Sequence, residues 1–197
     1  MSARRRVAEG GLTLIELIMF IVIMSVGLAG ILGVFNNIIR TSADPVIRKQ
    51  ALSIAESLLW EIEQQPFTYC DPNDPNAATA TTTAGCTGGA VGSQDQNGGV
   101  LGPINSPAAT AETRYSTTTP FDNVSDYAGF TMSSGISDIS GTPFPALAAY
   151  QADVTITRVG TTFSLSNDAA LRITVRVRRG SEDVSVVGYR FRYAPNI

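Results

Sequence analysis

The chain has no histidine, only two cysteines and one tryptophan among its 197 residues. Without histidine, Ser-His and Cys-His catalytic pairs and the common zinc sites cannot be built from it. Charged side chains make up only 16% of the chain, too few for a highly charged disordered protein. The net charge is −3, so no broad basic surface argues for nucleic acid. What remains is a chain rich in Gly, Ser, Thr and Ala with 44% hydrophobic residues, the mix of an exported, β-rich domain with polar loops.

One apolar run stands out. From Leu17 to Ile39 there is no charged residue, and only Ser25, Asn36 and Asn37 are clearly polar. A helix of that length reaches roughly 34 Å, close to a bilayer core. Arg4, Arg5 and Arg6 precede the run, which by the positive-inside rule puts the amino terminus in the cytoplasm and the rest outside. Arg40, Arg48 and Lys49 on the far side weaken that bias. An ordinary secretory signal has small residues after its apolar region, whereas Gly10 and Gly11 come before this one. At the edge of the run sits Glu16. A carboxylate in hydrocarbon costs several kcal/mol, so it calls for a partner.

The segment Gly11-Leu12-Thr13-Leu14-Ile15-Glu16-Leu17, set between a basic leader and a spanning helix, resembles the prepilin processing site of type IV pilins and type II secretion pseudopilins. The resemblance implies cleavage between Gly11 and Leu12 by a prepilin peptidase, methylation of the new amino terminus at Leu12, and Glu16 as fifth residue of the mature chain. Leu12 departs from the family's usual phenylalanine but stays apolar. In an assembling filament, Glu16 would pair with the amino group of a neighbouring subunit's Leu12. The alternative is that it caps the first turn of its own helix, where the dipole favours negative charge. Loss of the leader removes Arg4, Arg5, Arg6 and Glu9 and leaves the mature chain more acidic.

Beyond the apolar run, Asp44-Pro45 predicts a kink or a helix restart with Asp44 as a cap. Ile47, Ala51, Ile54, Leu58 and Ile62 then recur at helical spacing, with Leu59 and Trp60 widening the stripe, until Pro66 stops it. Residues 67 to 148 read as a long irregular connection, of the kind that is functional or mobile. Cys70 and Cys86 flank part of it and in an oxidising compartment predict a disulfide; two free thiols are the alternative. Within it, "FDNVSDYAGF" (121–130) admits three readings. It is a turn-rich packing motif anchored by aromatics, or a calcium site using Asp122 and Asp126 without the EF-hand spacing. It also resembles a segment of MshD-like minor pilins of the mannose-sensitive haemagglutinin (MSHA) pilus.

The carboxyl-terminal third alternates apolar and polar residues over 150–159, 170–180 and 183–194, with Arg179-Gly180-Ser181-Glu182 as a tight turn and 161–166 as a short additional strand. Val154, Ile156, Ile173, Val175, Val177, Val186 and Tyr189 are expected to cover the helix stripe. Arg172, Arg176, Arg178, Arg190 and Arg192 are expected to face outward. They form either a DNA or acidic-partner surface or a solvated face offset by Asp153, Glu182 and Asp183.

The expected fold is therefore α+β and pilin-like: leader 1–11, membrane and filament-core helix 12–40, amphipathic outer helix 41–66, long αβ-loop 67–148 and antiparallel sheet 149–197. The resemblance implies a non-catalytic minor pilin or pseudopilin with no cofactor and no metal centre. Its expected partners are a prepilin peptidase, the major pilin and other minor pilins, and the inner-membrane assembly platform with its ATPase. It is expected in the bacterial inner membrane, soluble domain in the periplasm, and then in a pilus or pseudopilus. Alternatives are a tip adhesin, a DNA-binding minor pilin, or, with no nucleophile constellation to support it, a membrane-anchored enzyme.

Overall fold

A computed structural model describes residues 13–87, 89, 101–103 and 112–192, with backbone alone at 36–44. The chain divides into two units, Met1–Pro45 and Val46–Ile197.

The first unit holds the opening turns of helix α1 (Leu14–Glu63). Leu14–Phe35 has a mean hydropathy of 2.7 and none of it is buried, so this helix is long and apolar enough to cross a membrane once. Ser25 does not spoil the span, because its hydroxyl donates to the Ile21 carbonyl at 2.7 Å one turn earlier. The helix restart admitted at Asp44-Pro45 does not occur: α1 is a single helix through Pro45. Proline removes a single backbone donor. The capping role expected of the Asp44 side chain lies outside the described residues.

In the second unit the α1 stripe is buried as its spacing requires. Ala51, Ala55, Leu58 and Ile62 are at most 3% exposed, and Ile47, Ile54 and Leu59 pack beside them. Trp60 does not join the stripe and stands in solvent. Against the stripe lies a four-stranded antiparallel sheet in sequential order: β1 (Thr131–Met132), β2 (Gln151–Arg158), β3 (Ala170–Arg179) and β4 (Glu182–Phe191). The fold is α+β, as expected. The register places Ile156 opposite Ile173, Val154 opposite Val175, and Val175 opposite Val186, so core positions line up across three strands. Gly180, at φ 59°, supplies the left-handed position of the β3–β4 turn, where Arg179 pairs with Glu182.

Three expectations about this sheet are corrected. Residues 161–166 are not a strand: Gly160–Phe163 forms a 3₁₀ turn and Ser164 takes φ 59°. Tyr189 is not in the core. That face of β4 is occupied by Gly188, because a Cβ there would sit 2.2 Å from Glu63 Oε1 and 2.9 Å from Leu59 Cδ1 of α1. Tyr189 turns outward and meets Phe163 edge-on at 5.7 Å. It follows that Arg190 and Arg192, which share the parity of Gly188, belong to the helix side rather than the outer face. Arg190 donates to the Gln65 carbonyl just past α1. Arg192 lies over the rings of Phe67 and Tyr69 at 4.1 and 3.9 Å.

The connection between α1 and β2 is less irregular than its composition suggests. It supplies β1, an isolated bridge between Ser137 and Pro143, and a 3₁₀ turn at Val124–Tyr127. That turn carries a full capping box, with the Asn123 and Asp126 side chains each accepting from backbone N–H groups of the other end. Val124 and Tyr127 are buried, and Tyr127 contacts Phe121 and Phe130 edge-on. The packing-motif reading of 121–130 therefore holds.

Candidate functional site

Two places carry functional groups, one in each unit.

In the first unit, Gly11 and Leu12, the expected cleavage and methylation positions, lie outside the described residues. Described structure begins at Thr13, whose hydroxyl accepts from the Glu16 N–H at 3.3 Å and whose carbonyl accepts from the Leu17 N–H. Thr13 is thus the cap of α1, and Glu16 stands in the first turn, where the helix dipole favours a carboxylate. Its backbone takes part in the cap. No described residue donates to its carboxylate, and the side chains around it are exposed and apolar. The next turns offer Leu17, Ile18, Met19, Phe20 and Ile21, each about half exposed or more. A continuous apolar surface of this size on one helix has to be covered by lipid or by other helices. Gly27, Gly30 and Gly33 have nothing within 4 Å of where a Cβ would stand, which leaves that strip open to close approach.

In the second unit, Cys70 and Cys86 form the expected disulfide, with Cα atoms 5.4 Å apart. It closes a small cluster with Ala80, Ala77 and Tyr69. The adjacent Asp74 ties the far end of the same loop, accepting from the Thr87 N–H at 2.8 Å and from its hydroxyl at 3.0 Å.

The disulfide delivers Asp71 to a pocket of carboxylates that spacing alone did not reveal. Asp71, Glu112 and Asp122 each bring an oxygen within 4.8 Å of the others, and Asp126 borders them. Asp71 and Asp126 are fully buried and Glu112 is 2% exposed. Some oxygens are satisfied: Asp126 Oδ2 accepts from the N–H groups of Asn123 and Asp122 at 2.7 and 3.0 Å, and Asp122 Oδ2 accepts from the Asn73 amide at 2.7 Å. Others are not. Among the described residues no N–H or hydroxyl donor reaches either oxygen of Glu112, Oδ1 of Asp122 or Oδ1 of Asp126, and Glu112 and Asp126 lie within hydrogen-bond reach of each other.

Burial, then the negative charge of Asp126, Asp122 and Asp71, pushes the Glu112 carboxyl far above the ordinary range. Burial also raises Asp126, against the pull of its two backbone donors. Asp122 rises to about 6, through burial and then Asp71. Of these residues the sequence had singled out Asp122 and Asp126 alone; Asp71 and Glu112 come from distant segments. The one available signal was the adjacency of Asp71 to a disulfide cysteine.

The arginine surface is smaller than expected. Of the five, Arg172, Arg176 and Arg178 share the outer face of β3. Arg176 forms a bidentate pair with Asp183, its Nε 2.9 Å from Oδ1, and Arg178 pairs with Asp153 at 2.5 Å. Glu182 stands 3.9 Å from Arg48 of α1. The offsetting acids foreseen for this face, Asp153 and Asp183, are in place.

Comparison of the chain with family models, with curated proteins and with solved structures finds no match. The functional reading therefore rests on the residues and their geometry.

Proposed function

We propose that the chain is a minor pilin or pseudopilin, a non-catalytic subunit incorporated into, or initiating, a type IV filament of the MSHA kind after prepilin peptidase cleavage. The observation that carries this reading is the first turn of α1. Glu16, a carboxylate with no described side-chain partner, heads a helix whose Leu14–Phe35 span has none of its apolar surface buried. Gly11 and the leader arginines stand immediately before it in the sequence.

In this reading the helix is held in the inner membrane with the Val46–Ile197 unit in the periplasm, and is later withdrawn into a bundle of like helices. The exposed apolar surface suits both surroundings. The capping role of Thr13 leaves the Glu16 carboxylate available for the amino group of a neighbouring subunit's Leu12. That pairing would neutralise two charges otherwise costly in hydrocarbon. The assembly platform, its ATPase, the major pilin and the other minor pilins are the partners this reading requires. Pairing of Arg176 and Arg178 with aspartates weighs against a DNA-binding role.

The test is Glu16→Gln in the native host. The neutral amide should insert in the membrane and be cleaved normally, while recovery with sheared filaments or with other minor subunits falls several-fold. Normal recovery in filaments would remove the intersubunit role of Glu16 and leave it a helix-end residue.

A further inference from the structure

The carboxylate pocket of the second unit lacks what buried acids normally have. Buried charges are paired with cations, hydrogen-bonded, or bound to metal. Here Glu112 is 2% exposed, and among the described residues no N–H or hydroxyl donor reaches either of its oxygens, Oδ1 of Asp122 or Oδ1 of Asp126; the one group within hydrogen-bond reach of Glu112 is another acid, Asp126. Among the described residues, the charged groups that act most strongly on Glu112 are acids: Asp126, Asp122 and Asp71. Arg114, two residues along, is turned away and bound to Glu61.

We propose that Asp71, Glu112 and Asp122, backed by Asp126, form a binding site for a calcium ion. Three separated segments bring one oxygen each to within 4.8 Å of the others, a spread that one cation can bridge. The donor set is oxygen alone. The chain has no histidine and both cysteines are in the disulfide, so soft and borderline metals find no preferred ligand. Between the hard cations, an irregular set of carboxylates drawn from loops suits calcium, which accepts variable geometry. Magnesium demands a near-octahedral shell and gives up its waters reluctantly.

The surroundings are built for the purpose. Asp71 is held by the adjacent disulfide and by the Asn73 N–H on its Oδ1 at 2.6 Å. Asp122 is oriented by the Asn73 amide. Asp126 is fixed as the N3 residue of the capping box. Glu112 arrives on the segment that Arg114 fastens to α1. A bound ion would therefore join the disulfide loop, the Glu112 segment and the 121–130 motif, all of which the sequence alone reads as one irregular connection. The competing explanation is a proton shared between Glu112 and Asp126, which would satisfy two of the orphan oxygens without metal. The inference is independent of the filament reading.

The experiment uses the full chain in detergent, stripped of metal by chelator, with thermal unfolding and calorimetric titration of CaCl2 as readouts. The expected result is one equivalent of calcium bound and a melting temperature raised by several degrees at saturation. MgCl2 at the same concentration should give less than half that rise. Glu112→Gln and Asp122→Asn should each lose the calcium-dependent rise. Metal-free Glu112→Gln should melt at or above the metal-free parent near neutral pH, since the neutral amide spares the pocket the cost of protonating or burying a carboxylate. If Glu112→Gln does not fold, Asp122→Asn, at a half-buried position, decides alone. The proposal is overturned if about 10 mM calcium, above the range of extracellular modules, gives no rise. It is equally overturned if magnesium matches calcium, or if Asp122→Asn keeps the full response.

Discussion

Arg114 grips Glu61 with two parallel hydrogen bonds, Nε to Oε1 and Nη2 to Oε2, each 2.7 Å long. The same guanidinium donates from Nη1 to the carbonyls of Ser137 and Asp138 at 3.3 and 2.9 Å, and the Tyr127 hydroxyl donates to Glu61 Oε1 at 2.8 Å. One glutamate on α1 thus gathers three separate points of the connection that follows it. The clamp matters because few large apolar residues lie between Phe67 and Phe121.

Arg114→Ala should therefore destabilise the second unit by about 3 kcal/mol, the low end for breaking a buried pair, because the Glu61 side chain keeps some exposure. Denaturant unfolding gives the number. Adding Glu61→Gln should restore part of the loss, since it removes the stranded charge that Arg114→Ala leaves behind.

The carboxylate pocket sets a pH dependence in chelator. Glu112, Asp126 and Asp122 all titrate higher in the folded chain than in the unfolded one, Asp122 moving from 3.8 to about 6. An acid with a raised folded pKa holds its proton longer in the native state, so stability falls as pH rises. The decline should start near the ordinary carboxylate range, pass through about 6 for Asp122, and continue above that for Glu112 and Asp126. Thermal melts in EDTA should give a lower melting temperature at neutral pH than at mildly acidic pH. Replacing Glu112 with Gln should flatten the slope.

Cys70 and Cys86 should both resist alkylation in the exported protein until reductant is added. Replacing both with serine should cost about 3 kcal/mol, from the freedom the unfolded loop regains. The helix–sheet core, which shares no buried residue with the disulfide cluster, should keep its far-ultraviolet circular dichroism.

How far these features could be read from sequence depends on whether they are local. The α1 stripe, the alternation of β2 and β3, the Arg179–Glu182 turn and the single cysteine pairing each follow from spacing within one segment or from there being no other partner. The face of Arg190 and Arg192 was misjudged because the core position before them is a glycine. With no side chain at Gly188, the apolar alternation points to Tyr189, and the parity of every later residue is read backwards. The contact that requires that glycine comes from Leu59 and Glu63 on α1, more than a hundred residues earlier. The pocket of Asp71, Glu112, Asp122 and Asp126 was half visible for the same reason. Asp122 and Asp126 are neighbours in sequence, whereas Asp71 and Glu112 join them only once the chain has folded. At Pro45 the restart alternative fell because a strong local breaker sits between long helical flanks.

The central claim is that this chain is a processed filament subunit, and the amino terminus of the protein recovered from its native host tests it most directly. Intact-mass and amino-terminal peptide mass spectrometry should find a chain that begins at Leu12 and carries one methyl group on its amino nitrogen. Gly11→Val should abolish that species and leave the leader attached. A mature chain that begins beyond Ile39, or one that retains Met1 through Gly11 in the assembled state, would contradict the account.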